Sequence, residues 1–255
     1  MDSQSVPHLR SHQELHHIKE FFDAETEQHA YTTFCLFTTN DDECWAGKLN
    51  KRAEGLSLAQ MESALRRVPD DIIYPAMPGK PLMALITAPE TPPKDSEAGE
   101  FYIRRPNMSI LHAIDEDKEQ YKQQQQVLLR EAIVLQQLAQ HPHPNMIGYH
   151  GVRTRRNRIT GLVFTKHPHT LWEYSQLGAI LDVGRFMGQL ESAVNRLHRL
   201  GLAHNNIKPE NVVVAKDCPY LPIVRGEETI SAKDNDIKGL EELRSWLENP
   251  ADPFS

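Results

Sequence analysis

The chain lacks any long apolar run. Its longest, "GLVFTK" and "NVVVAK", are strand-sized against the roughly 20 residues that a membrane-spanning helix requires. This predicts a chain that stays out of the membrane. The first residues, "MDSQSVPHLRSHQELHHIKEFF", have early acids and histidines and no apolar segment, which predicts no secretory signal. Cysteine is scarce. Cys35, Cys44 and Cys218 are odd in number and show no C-x-x-C spacing, so reduced thiols and a cytoplasmic or nuclear address are expected rather than a disulfide frame or a zinc site. Basic charge is also in deficit: 28 Lys and Arg against 35 Asp and Glu leave a net charge of −7. Nucleic acid is therefore not expected as the main partner, because phosphate binding needs a basic surface.

What is present suffices for a globular core: 255 residues, 39% of them hydrophobic and 25% charged. "QELHHIKEFFDAETEQHA" reads as a short helix with Ile18, Phe21 and Phe22 as its apolar positions. On such a helix His8, His12 and His16, spaced i, i+4, i+8, would share one face and suggest a metal, against which Pro7 and the polar surroundings argue. "YTTFCLFTT" (31–39) reads as a strand. In "LSLAQMESALRRVP", Ser57 and Gln60 are spaced as a capping box, with Leu58, Met61, Leu65 and Val68 on one helical face. The prolines at 75, 78, 81, 89, 92 and 93 mark 74–100 as an irregular connector. Beyond it come a strand at "EFYIRRP" (100–106), a long helix from Asp115 to Gln140, two strands around a polar turn in 145–166, and an amphipathic helix from Asp182 to Leu200 that Gly201 stops.

Charge is unevenly placed. Residues 227–255 hold eight acids against three bases, a net of −5, and form an acidic face. The one basic cluster, "RTRRNR" (153–158), lies between two strands and is expected to be a solvated hairpin tip. The acidic face and the segment 1–99 are the candidate surfaces for a protein partner.

The order strand, long helix, two strands, linker, long helix, then "GLAHNNIKPENVVV" resembles a protein kinase from its third strand to its catalytic loop, over residues 100–247. "YIRRP" (102–106), "HPN" (143–145), "ITGLVF" (159–164), "GLAHNN" (201–206) and "NDIKGLEELRSWL" (235–247) are similar to stretches of a group of divergent fungal kinase-like proteins. The resemblance implies an α+β, bilobal protein-kinase-like fold. It places an N-terminal extension and connector at 1–99, a β-rich N-lobe and hinge at 100–167, and a shortened helical C-lobe at 168–255. It also implies a cleft between the lobes with its hinge at Phe164 to His167, including Lys166.

Phosphoryl transfer is mostly positioning and charge neutralisation, so few residues carry it. By the resemblance Arg104 stands where the third-strand lysine holds phosphates, and Glu131 is its partner on the long helix. Arginine keeps the charge but is longer and forked, so it can pair bidentately with Glu131 while filling the space of the phosphates. In the loop, His204 matches the motif histidine, Asn206 the catalytic aspartate, Lys208 the phosphate-contacting lysine and Asn211 the metal ligand. Neutral asparagine keeps the size of aspartate and one acceptor oxygen but is no base near neutral pH.

In the family the magnesium-holding Asp-Phe-Gly begins 13 residues beyond the metal-ligating asparagine, and that count from Asn211 reaches Val224, Arg225 and Gly226. A hydrocarbon at 224 cannot hold magnesium, which wants oxygen ligands. Before residue 100 there is no G-x-G-x-x-G, only Gly79 and Gly99 near the strand, and nine residues separate Gly226 from Asp236 with no Ala-Pro-Glu among them. Asp236 matches the aspartate that ties the central C-lobe helix to the loop backbone, with Leu240, Leu243 and Leu247 as that helix's apolar stripe. The expectation is a pseudokinase, a binding or scaffolding module with no cofactor. The alternatives are a divergent ATP-dependent serine/threonine kinase using ATP with magnesium for slow transfer, and another nucleotide chemistry on the same fold, such as AMP transfer.

Overall fold

The computed structural model describes residues 5–79, 84–92, 100–108, 118–178, 181–216, 218–222 and 233–248. The protein is mixed α+β with several antiparallel sheets, and it divides into two compact units. Among the described residues no helix is long and apolar enough to cross a membrane.

The first unit comprises Met1–Leu82, Arg105–Leu129 and Thr154–Gly161. Its centre is an antiparallel sheet of β1 (His17–Phe22), β2 (His29–Phe37), β3 (Cys44–Leu49) and β4 (Arg66–Arg67), in that order. Alternation puts Phe34, Leu36 and Trp45 on one face, where they pack with Leu9, Leu56, Met61 and Leu65; Cys35 and Cys44 lie on the other with Val68, Ile73, Tyr74, Met108 and Tyr121. Helix α1 (Leu58–Ala64) forms where the capping box predicts it, Ser57 Oγ accepting from the Gln60 amide. Helix α2 (Asp70–Ile73) follows.

The helix expected over residues 13–30 is not there. A 3₁₀ turn at His12–Glu14 leads into β1, where pairing with β2 gives the aromatics of "HIKEFF" partners: Phe21 stacks on Tyr31 at 5.0 Å. Without the helix, His8, His12 and His16 share no face, and no cluster of three potential metal ligands occurs among the described residues.

The basic hairpin tip is a second correction. Arg156 and Asn157 take φ of 48° and 60°, as a two-residue hairpin turn requires. Arg156 and Asn157 at the tip are exposed as expected, but the arginines also find acidic and carbonyl partners: Arg156 bonds both Asp70 oxygens, at 2.5 and 3.2 Å, Arg155 lies 3.9 Å from Asp42, and Arg158 donates to the Tyr74 carbonyl at 2.7 Å. Asp42 is fully buried and also takes Arg105 at 2.7 Å and the Thr160 hydroxyl at 2.8 Å. Buried charge of this kind is tolerated only when paired and hydrogen-bonded.

The second unit comprises Met83–Arg104, Arg130–Arg153 and Leu162–Ser255. It holds β5 (Phe101–Arg104), which pairs antiparallel with the end of β7 (Arg158–Thr165) in a sheet of order β5-β7-β6, β6 being Tyr149–Arg155. Helix α3 (Lys118–Ala139), β6 and β7 contribute residues to both units. After β7 come β8 (His169–Thr170), α4 (Leu171–Gln176) and α5 (Val183–Arg199), then β9 (Val213–Ala215), β10 (Cys218–Tyr220) and α6 (Lys233–Glu248). Helix α5 buries Phe186, Met187, Leu190, Val194 and Leu197 on one stripe; Asp182 caps it, accepting from the Arg185 amide at 3.0 Å, and Gly201 at φ 77° lets the chain turn away.

Candidate functional site

Strand β5 ends on Arg104, and α3 places Glu131 beside it. The guanidinium Nη2 is paired with Glu131 Oε1, the side chains being 23% and 7% exposed. The guanidinium carbon also stands 5.9 Å from the centre of the Phe164 ring. The Tyr149 hydroxyl is buried in the same region, where burial, and after it the Glu131 charge, push its pKa up.

The loop from Ala203 to Asn211 is held from beneath by one carboxylate. Asp236, fully buried on α6, accepts from the His204 amide at 2.8 Å, the Asn205 amide at 2.6 Å and His198 Nε2 at 2.9 Å. Asn205 sits at φ 61°, a left-handed conformation that asparagine tolerates better than most residues. Gly239 lets the helix approach: a Cβ there would stand 3.0 Å from the Ile207 carbonyl oxygen.

Above that anchor the loop presents Asn206, exposed, and Asn211, whose Nδ2 donates to the Asn206 carbonyl at 2.9 Å. His204 is 5% exposed, and its Nε2 lies 2.8 Å from the Pro222 carbonyl oxygen. A carbonyl can only accept, so Nε2 carries the proton and Nδ1 is a bare acceptor, buried without a donor. Burial lowers the pKa of this histidine, against the opposing pull of Asp236.

These residues surround a cavity of about 350 Å³, every lining residue of which belongs to the second unit. Of the residues expected from sequence, Arg104, Lys166, His167, His204, Asn206 and Asn211 line it. Glu131 reaches it only through Arg104, Phe164 is buried behind the wall, and Lys208 is exposed and not part of the lining. Lys166 is tied to Glu100 at 2.5 Å, and that contact holds the Glu100 carboxyl below its usual range. The His167 ring stacks on Tyr220 at 4.2 Å, with its Nε2 buried and unpartnered and its pKa lowered by burial. Val224, Arg225 and Gly226 lie outside the described residues.

Sequence reasoning missed Glu173 and Glu210, both on the wall. A signal for the first existed: Thr170 and Glu173 have capping-box spacing at the start of α4, and the box is formed, Thr170 N donating to Glu173 Oε2 at 2.8 Å. Glu210 stands in "KPEN" beside Asn211. Tyr102, His169 and Val213 complete a mixed apolar and polar lining that no spacing announced.

Compared with known proteins, the chain matches no protein-family model and no curated protein.

Proposed function

We propose that the protein is a catalytically inactive, kinase-like binding or scaffolding module, with a β-rich lobe at 100–167, a shortened helical lobe at 168–255 and a degenerate nucleotide cleft. What supports the fold is the element order, the β5-β7-β6 arrangement beside α3, and the loop tied to Asp236. The observation that carries the function is the neutral amide at position 206 on the cavity wall. Asn206 stands where phosphoryl transfer needs a carboxylate, and Asn211 spends its Nδ2 on the Asn206 main-chain carbonyl.

On this reading the partner is a protein, neither nucleic acid nor membrane, and the setting is cytoplasmic or nuclear, where the free thiols Cys35, Cys44 and Cys218 stay reduced. Glu173 and Glu210 on the same wall favour a second reading, slow ATP-dependent transfer through a displaced carboxylate. Thermal-shift titration separates the two, because a ligand specific for the folded state must raise its midpoint. ATP with magnesium or manganese is expected to produce no shift even at millimolar nucleotide. A metal-dependent shift that Asn211→Ala abolishes would revive the enzyme reading.

A further inference from the structure

The core on one face of the first unit's sheet gathers three sulfur side chains. The thiols of Cys35 and Cys44 and the thioether of Met108 share one buried cluster with Val68, Ile73, Tyr74 and Tyr121. Both thiols are 0% exposed and Met108 is 2% exposed. Cys35 on β2 stands opposite Ala46 on β3, and Cys44 on β3 stands opposite Phe37 on β2, so the two cysteines are diagonal neighbours on the same face. Their side chains meet, the Cys44 thiol donating to Cys35, and this contact, ahead of burial, raises the Cys44 pKa.

Diagonal neighbours in a sheet stand about 7–8 Å apart at Cα. A disulfide closes over such a span only if the backbone moves. A single atom held between the two sulfurs suits the separation better.

From this juxtaposition we propose that Cys35 and Cys44, with Met108 as the third sulfur, bind one Cu(I) ion inside the first unit. The site lies outside the cavity of the second unit, and the inference goes beyond the reading of that cavity without resting on it. Thiolate and thioether are the soft ligands that select Cu(I) among the available metals. Zinc fits less well, since its structural sites take four ligands and no three His, Cys, Asp or Glu side chains converge among the described residues. On binding, two S–H bonds break and two Cu–S bonds form, while Met108 donates a lone pair. The two protons leave to solvent, and nothing is oxidised or reduced. The resulting dithiolate complex carries one negative charge. Arg105 is near enough to Cys44 to favour its thiolate, with its guanidinium carbon 5.3 Å from the centre of the Phe37 ring and Nη2 bonded to Asp42, whereas Asp70 acts in the opposite sense. The apolar shell keeps water from the ion.

The test is titration of the full chain, reduced and free of oxygen, with Cu(I) supplied as its bicinchoninate complex. One Cu(I) per chain is expected to leave the chelator. Copper K-edge absorption of the loaded chain is expected to show sulfur alone in the first shell. The double variant Cys35→Ala, Cys44→Ala is expected to leave the chelator complex intact, and Met108→Leu to compete with it less well than the parent. Cys218→Ala, whose cysteine belongs to the second unit, is expected to take up copper as the parent does. Substitutions in a core can loosen it, so urea unfolding is followed beside each variant, and the absorption spectrum of the parent chain stands without them.

No copper taken from the chelator overturns the proposal. So does nitrogen or oxygen in the first shell, which would mark histidines elsewhere on the chain, and so does uptake unchanged in the double cysteine variant. Uptake unchanged in Met108→Leu overturns the place of the thioether as third ligand.

Discussion

Replacing Asp236 by alanine removes the acceptor of two backbone amides and one imidazole at once: His204 N at 2.8 Å, Asn205 N at 2.6 Å and His198 Nε2 at 2.9 Å. The carboxylate is fully buried and His204 is 5% exposed, so little water is at hand to replace it. Each buried donor left without an acceptor costs about 1–3 kcal/mol, which for two amides gives about 4 kcal/mol for Asp236→Ala. Asp236→Asn retains one oxygen but turns an NH₂ group toward the remaining donors, for about 2 kcal/mol. His198→Ala removes a donor and strands nothing, because Asp236 keeps both amides, and should cost about 1 kcal/mol. The measurement is urea unfolding followed by tryptophan fluorescence, since Trp246 lies on α6 itself and stacks on Trp172 at 6.1 Å. The expected order of loss is Asp236→Ala, then Asp236→Asn, then His198→Ala. An Asp236→Ala variant within about 1 kcal/mol of the parent would refute the claim that this carboxylate holds the loop, because surface changes alone reach about half that.

The pair Arg104–Glu131 should behave as a clamp: Glu131→Ala strands a largely buried guanidinium and is expected to cost about 3 kcal/mol, while Arg104→Leu with Glu131→Leu recovers most of it. A double variant no more stable than the single one would contradict this. Gly151→Ala places a Cβ 2.4 Å from the Ile86 carbonyl oxygen and 2.9 Å from the Ala88 amide, at φ 123°. Hydrogen exchange should show lost protection at Ala88 and Val152, which bond across this contact at 2.9 and 2.8 Å, and unchanged protection there would refute the role. His16, His17, His143, His150, His167 and His204 all titrate below their usual 6.5, chiefly through burial. The unfolded chain therefore binds protons first as pH falls. The stability these groups confer is complete above about pH 6.5 and declines below it, so the urea midpoint should drop between neutrality and about pH 5.5; a flat or rising midpoint would refute it.

Local signals in the sequence were legible where one short-range rule decides the outcome. The capping box at Ser57, the strands flanking Arg156 and Asn157, the start of the helix near Asp182 and its stop at Gly201 all depend on residues within a few positions of one another. "HIKEFF" was not, because six residues fit a strand or a helical turn equally and the choice belongs to β2, whose aromatics lie outside the window. The arginines at 153–158 failed for a related reason. A charge run is solvated unless acids from distant sequence meet it, and Asp42 and Asp70 are about a hundred positions away. At the cavity, His204, Asn206 and Asn211 were readable from "HNNIKPEN", whereas Glu210 in the same run and Glu173, whose spacing speaks only of a helix cap, were not.

The charges around the cavity belong together. A carboxylate at 206 beside a metal ligand would balance a nucleotide's phosphates and a metal. In this chain the arginine is neutralised by Glu131, the lysine by Glu100, and position 206 is an amide. Together they leave Glu173 and Glu210 as the wall's charged side chains outside any ion pair among the described residues, while Asp236 and Gly239 keep the loop in place. Asp236 holds the loop whatever the cavity binds, because two buried amides and an imidazole have no other acceptor in reach.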